Sequence, residues 1–205
     1  MRIKPLDRQQ KYIDTARQLF FTHGYAKVSM HMIATTAGGS KTTLYNYFAS
    51  KEAVFRAFVL ETGKEKFSRL VDARVNVADI NSTLCDMATA YLSLAWDPDV
   101  RRLDQLVHAE SPRQKELALV YHDLGHTRTL NTMAWTFEGL VFHQSIRHVA
   151  PKTLAIHFKA LLDSIVLNEN LAAEAKVTDT AVKQAVQGAV EVFLYGYQPR
   201  GAQAA

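Results

Sequence analysis

Two serines, Ser29 and Ser40, each stand directly before a helix-compatible run, and Gly38-Gly39 lies between the two runs. A serine hydroxyl accepts a bond from one of the orphan amides of a helix's first turn, and glycine reaches left-handed backbone angles without a Cβ clash. The segment from Ser29 to Phe48 is therefore chemically specified as helix, turn, helix. Ile33 and Ala37 are four apart, as are Leu44 and Phe48, so each short helix has one apolar stripe for packing. Lys41, Thr42, Tyr45 and Asn46 fall on the remaining surface of the second helix. Amide and hydroxyl groups there suit base edges, while Lys and Tyr suit phosphate oxygens. This is the layout of a DNA-reading helix-turn-helix.

The charge is divided as such a motif requires. Residues 1–51 hold eight basic side chains (Arg2, Lys4, Arg8, Lys11, Arg17, Lys27, Lys41 and Lys51) against Asp7 and Asp14, a net of +6; the rest is −2, within a total of +4. A basic excess confined to one end is the footprint of a phosphate-binding surface. Hydrophobic residues make up 48%, which excludes a disordered chain. No window approaches the roughly 18 consecutive apolar residues of a membrane span, and Met1 to Asp7 lacks the apolar core of a secretory signal. A cytoplasmic protein with no membrane partner is expected. The single Cys85 rules out an internal disulfide.

The segment from about Gln10 to Phe58 resembles the N-terminal domain of TetR-family transcriptional regulators. The residues that carry the resemblance are Ala16-Arg-Gln-Leu-Phe20-Phe-Thr-His-Gly24-Tyr25, Val28-Ser29-Met30 with Ile33-Ala34, Ala37-Gly38, Ser40-Lys41 with Thr43-Leu44-Tyr45-Asn46-Tyr47-Phe48, and Ser50-Lys51-Glu52. Two positions depart from the family pattern. Gly39 replaces a valine that packs in the turn, which is expected to loosen it, and Thr42 replaces a glycine, which is expected to change base preference. Further on, Leu103-Asp-Gln-Leu-Val107-His-Ala-Glu110-Ser-Pro112, Glu116-Leu-Ala, Tyr121 and Phe193-Leu-Tyr-Gly196-Tyr197 resemble the AefR-type C-terminal domain, with Gln114 as a departure. That resemblance implies an all-helical ligand-sensing and dimerisation domain whose last two long helices pack against their counterparts in a second subunit.

Hydrophobic periodicity reads as all-α, and the resemblance implies a three-helix N-terminal helix-turn-helix domain over 1–51 and a larger helical-bundle C-terminal domain for ligand binding and dimerisation over 52–205. Asp7 to Gln10 reads as a capping box for a first helix with Ile13, Ala16 and Phe20 inward and Gly24 at its end. Ser50 caps a helix over 51–73 that links the domains. Asn81 and Ser82 precede a helix to Ala95, stopped at Asp97-Pro98. Further helices are expected over 99–109, 113–124, 127–146, 150–168 and 178–197.

Site expectations follow from position. Lys41, Thr42, Thr43 and Asn46 face bases, Ser40 at the cap of the same helix belongs to the DNA-binding set with them, and Ser29, His31, Tyr45, Tyr47 and Lys51 fix the DNA backbone. Double-stranded DNA is thus the expected partner, and a recognition helix this short calls for a homodimer on an inverted repeat. The small residues Ala181, Ala185, Gly188 and Ala189, with Val192, offer a close-packing surface on the last helix. Tyr91, Trp96, His108, Tyr121, Trp135 and His143, with His122, His126, Phe137, Phe142 and Phe158 nearby in sequence, could line an apolar cavity with a few polar handles. The resemblance implies an apolar or amphipathic small-molecule effector there, and no cofactor.

Catalytic and metal readings lack local support. His122 and His126 are four apart beside Asp123, but Gly125 suggests a break between them, and no Cys or second acidic cluster completes a metal site. Gly38-Gly39-Ser40-Lys41-Thr42 fails the phosphate-loop pattern, because Ser40 precedes Lys41 and Thr35 stands at the leading glycine. No Gly-x-Ser-x-Gly elbow occurs. Two function classes remain: a ligand-responsive transcriptional regulator of the repressor kind, or a helical small-molecule-binding or enzymatic protein whose helix-turn-helix is vestigial.

Overall fold

The computed structural model describes residues 5–72, 76–171 and 179–199. Among these residues every element is helical, and no helix is long and apolar enough to cross a membrane. Helix α1 spans Pro5–His23. It opens on Pro5 rather than on a cap at Asp7, since proline has its helical φ preset and no amide to lose in the first turn. Asp7 instead lies in that turn, where its carboxylate complements the helix dipole. Gly24, at φ +80°, ends the helix.

Helices α2 (Met30–Thr36) and α3 (Lys41–Tyr45) follow, then α4 (Lys51–Glu61). The single helix expected over 51–73 is in fact two. Thr62 turns extended with its amide and its hydroxyl both donating to the Phe58 carbonyl at 2.9 Å, Gly63 takes φ +71°, and α5 resumes over Lys64–Asp72. Residue Ala73 of the expected span lies outside the described residues.

Helix α6 (Ile80–Ala95) is capped by Asp79, whose carboxylate accepts from the Ser82 amide at 2.9 Å. Pro98 opens α7 (Pro98–Glu110), and α8 covers Lys115–Tyr121. Gly125 does not break the chain as the sequence suggested: a π-helical turn, His122–Thr127, joins α8 to α9 (Arg128–Phe142). Helix α9 stops short of the expected residue 146, with Gln144 at φ +57° just past its end. Helices α10 (Pro151–Leu171) and α11 (Asp179–Tyr197) complete the order.

The chain packs as two compact units. The first holds residues 1–64 and 98–126, the second 65–97 and 127–205. The first unit takes in α7 and α8 because their apolar stripes, Leu103 with Val107 and Leu117 with Val120, are buried in the same core as the α1–α4 side chains, while Arg17 of α1 pairs with Asp99 of α7 at 3.3 Å. Phe20, Tyr25, Phe55 and Phe58 form the aromatic centre of that core. The second unit is centred on Phe137, Phe158 and Phe193 of α9, α10 and α11.

Candidate DNA-binding site

The turn between α2 and α3 is closed by hydrogen bonds in the Schellman pattern. The Gly39 amide donates to the Ala34 carbonyl at 2.9 Å and the Gly38 amide to the Thr35 carbonyl at 3.0 Å, with Gly38 left-handed at φ +69°. Each cap expected from the sequence is formed: Ser29 accepts from the Met32 amide at 3.1 Å, Ser40 from Thr43 at 3.0 Å and Ser50 from Ala53 at 3.1 Å. Ile33, Ala37, Leu44 and Phe48 are buried, so both stripes face inward. That inward packing turns the opposite surface of α3 to solvent.

Ser29, His31, Ser40, Lys41, Thr42, Tyr45 and Asn46 are exposed together. Lys41 Nζ lies 5.7 Å from the Tyr45 ring centre. Asn46 is the C-cap of α3 and keeps helical angles, φ −69° and ψ −22°, so it stays in register with Thr42 one turn earlier. Thr43 and Tyr47 are half-buried; the Thr43 hydroxyl shares a 2.8 Å hydrogen bond with Ser40, and the Tyr47 ring packs 6.0 Å from that of Tyr12. Lys51 is also half-buried: its ammonium donates to the Tyr25 carbonyl at 2.8 Å and lies 4.1 Å over the Tyr25 ring. Burial pushes its pKa below the usual lysine range, an effect that the Glu110 carboxylate opposes. One of its three donors is thereby committed inside the fold.

Sequence reasoning missed two residues at the turn. Lys11 of α1 holds its Nζ 3.9 Å from where a Cβ on Gly38 would stand, and Tyr12 lies beneath Gly39. The first was visible only as one charge in the basic excess.

Ser40→Ala removes a cap from a helix of five residues, where one lost hydrogen bond is a large fraction of the local order. A loss of about 1 kcal/mol is expected, read as a lower urea midpoint at unchanged slope. An unchanged midpoint would show that the cap contributes nothing.

The Tyr25 phenol is pushed up to about 12, first by burial and then by the Glu52 and Glu116 carboxylates. In the unfolded chain it ionises near ~10, so stability tied to it is intact below that pH and falls as pH rises through the folded value. Melting temperature between pH 8 and 11.5 should therefore drop more steeply in the wild type than in Tyr25→Phe, which keeps a ring under Lys51. Parallel curves would refute the assignment.

The residues expected to line an effector cavity are divided between the two packing units. In the second unit, Tyr91 is buried with its hydroxyl on the Asp163 carboxylate, and Lys159 pairs with the same carboxylate at 2.8 Å. Trp96 is half-buried with a buried indole N–H. Trp135 is 66% exposed and His143 is exposed as well. His108 and Tyr121 belong to the first unit. His108 is exposed, its Nδ1 2.9 Å from the Asp104 carbonyl oxygen, and the Tyr121 phenol is raised by burial and by the charge and hydrogen bond of Asp104. His122 and His126 stack ring on ring at 5.0 Å. Among the described residues, no three His, Cys, Asp or Glu side chains gather as a metal site.

Comparison with known proteins agrees with this geometry. Residues 13–58 match the family model of bacterial regulatory proteins of the tetR family, and residues 82–199 match that of the AefR-like transcriptional repressor C-terminal domain. The chain is 23% identical over 159 residues to the HTH-type transcriptional regulator YdgC of Bacillus subtilis (strain 168), covering 70% of this chain and 82% of that one. It is 33% identical over 91 residues to the HTH-type transcriptional repressor ComR of Escherichia coli (strain K12), covering 43% and 42%. Among solved structures, the flavonoid-responsive regulator FrrA superposes with a TM-score of 0.85 at 27% identity, over 95% of this chain and 98% of that one. A putative TetR-family regulator from Mesorhizobium loti MAFF303099 superposes at 0.78 with 25% identity, over 97% and 100%. With a capped helix-turn-helix inside one family model and most of the remaining chain inside the other, this protein belongs to the TetR family of bacterial transcriptional regulators.

Proposed function

We propose that this protein is a ligand-responsive transcriptional repressor that binds an inverted-repeat operator as a cytoplasmic homodimer, and that it is not an enzyme. The observation that carries the reading is the single exposed face formed by Lys41, Thr42, Tyr45 and Asn46 on a helix fixed at both ends, by the Ser40 cap and by the buried Leu44 and Phe48. Lys41, Thr42 and Asn46 meet base edges, with Thr43 at the margin; Ser29, His31, Tyr45, Tyr47 and Lys51 hold the phosphates. In function the division stays at 51/52, with DNA contacts before it and effector binding and dimerisation after it.

The dimer is made through α10 and α11. In support, Ile156 and Leu167 on α10 and Val192 and Tyr195 on α11 are large apolar side chains left exposed, Tyr195 at 81%. Apolar surface of this kind marks an interface. Gly188 has open space where a Cβ would stand, so a partner helix can approach closely there. Light scattering should give twice the 23.0 kDa chain mass, alone and on DNA. A 23.0 kDa particle in both states would overturn the dimer.

The effector is an apolar or amphipathic small molecule, a class supported by the flavonoid-responsive regulator among the structural relatives. To release DNA it must bind the operator-competent and operator-incompetent conformations with different affinities; a ligand of equal affinity for both shifts nothing.

A further inference from the structure

The two glycines of the turn have different reasons to be glycine. Gly38 is left-handed, a backbone state that a side chain strains. Gly39 is not left-handed; its constraint is space. A Cβ there would stand 2.2 Å from the Tyr12 hydroxyl oxygen, 3.1 Å from Cζ and 3.3 Å from Cε1 of the same ring. Tyr12 is 2% exposed, and among the described residues its hydroxyl has no hydrogen-bond partner. The same ring packs against Tyr47, centroids 6.0 Å apart and tilted by 52°. Gly39 lies just ahead of α3 and Tyr47 just behind it. One α1 side chain thus touches both ends of the recognition helix.

We propose that Tyr12 is a positioning residue: with Gly39 it forms a spacer that sets where α3 stands relative to α1, and through that the reach of Lys41, Thr42 and Asn46 into the groove. The hydroxyl fills the place that a methyl at position 39 would take, so the turn expected to be loosened by Gly39 is supported from below. A buried hydroxyl without a partner destabilises the fold. Its role at this point is therefore one of length rather than of hydrogen bonding. The link from α3 placement to DNA rests on the proposed function; the placement itself does not.

The test is a cycle of four full-length chains: wild type, Tyr12→Phe, Gly39→Ala and Tyr12→Phe/Gly39→Ala. Two readouts are taken: the 1H–15N amide resonances of Leu44, Tyr45 and Asn46, and the affinity for a duplex selected from a random pool on the wild type, measured against unrelated DNA. Gly39→Ala should move those remote amides and weaken specific binding at least about tenfold by overpacking. Tyr12→Phe should leave melting temperature unchanged or higher while it weakens specific binding, a split that a purely structural residue would not give. The double variant, with methyl in place of hydroxyl, should return amides and affinity most of the way to wild type. Unmoved amides in Gly39→Ala, a double variant no closer to wild type than Gly39→Ala, or shifted amides with unchanged specific binding would each overturn the proposal. A wild type that selects no duplex while the amide cycle closes as expected would overturn the DNA-binding function and leave the spacer standing.

Discussion

Phe20→Ala is expected to destabilise the first packing unit by about 3–5 kcal/mol. Phe20 is fully buried, with its ring 5.3 Å from Tyr25, 5.9 Å from Phe55 and 6.0 Å from Phe58. Truncation opens a cavity at the junction of α1, α4 and the turn after Gly24, and three aromatic neighbours lose their contact at once. Small domains hold only about 5–15 kcal/mol in total. Because α7 and α8 bury their stripes in the same core, the loss should reach beyond the helix-turn-helix itself. Urea unfolding followed by circular dichroism is the measurement, and two packing units warrant a fit that allows two transitions. Phe20→Leu, which fills most of the space, should cost markedly less. An early transition unchanged by Phe20→Ala would contradict the packing described for the first unit.

The second large effect is at the DNA face. Asn46→Ala and Lys41→Ala remove exposed groups that make few contacts within the fold, so stability should change by less than about 0.5 kcal/mol. A lost base contact costs about 1–3 kcal/mol, and in the proposed two-fold dimer each substitution is made in both half-sites. Asn46→Ala should then weaken operator binding by roughly 30-fold to 10⁴-fold while leaving binding to unrelated DNA nearly unchanged. Lys41→Ala, which also removes a base contact, should likewise weaken operator binding more than binding to unrelated DNA. Equal losses on specific and unrelated DNA for Asn46→Ala would reassign it from base reading to backbone contact.

What could be read in the sequence was local. Ser29, Ser40 and Ser50 cap because the signal and its effect lie within three residues, and the Ile33/Ala37 and Leu44/Phe48 stripes needed only the helical period. What could not be read depends on contacts distant in the chain. A lone glycine such as Gly63 is tolerated inside many helices, so nothing local marked the break between α4 and α5. Leu103, Val107, Leu117 and Val120 declare an apolar face but not which core receives it, and it is the core of α1 to α4. Lys51 reads as a surface cation, yet its Nζ is tied to the Tyr25 carbonyl, 26 residues earlier. Gly39 reads as a departure from pattern and nothing local marks Tyr12; only the Tyr12 hydroxyl, 2.2 Å from where a Gly39 Cβ would stand, makes them one feature. The aromatic residues proposed for an effector cavity were chosen by type, which carries no information on facing, and Trp135 and His143 lie exposed.

The central claim is specific DNA binding, and the direct measurement is fluorescence anisotropy of a labelled duplex from upstream of the protein's own gene, titrated at two salt concentrations with unrelated DNA as competitor. The account predicts tight binding that survives the competitor and weakens steeply as salt rises, with one dimer bound per duplex. Binding that competitor DNA removes, on this duplex and on any duplex selected from a random pool, would contradict it and favour a helical small-molecule-binding protein with a vestigial helix-turn-helix.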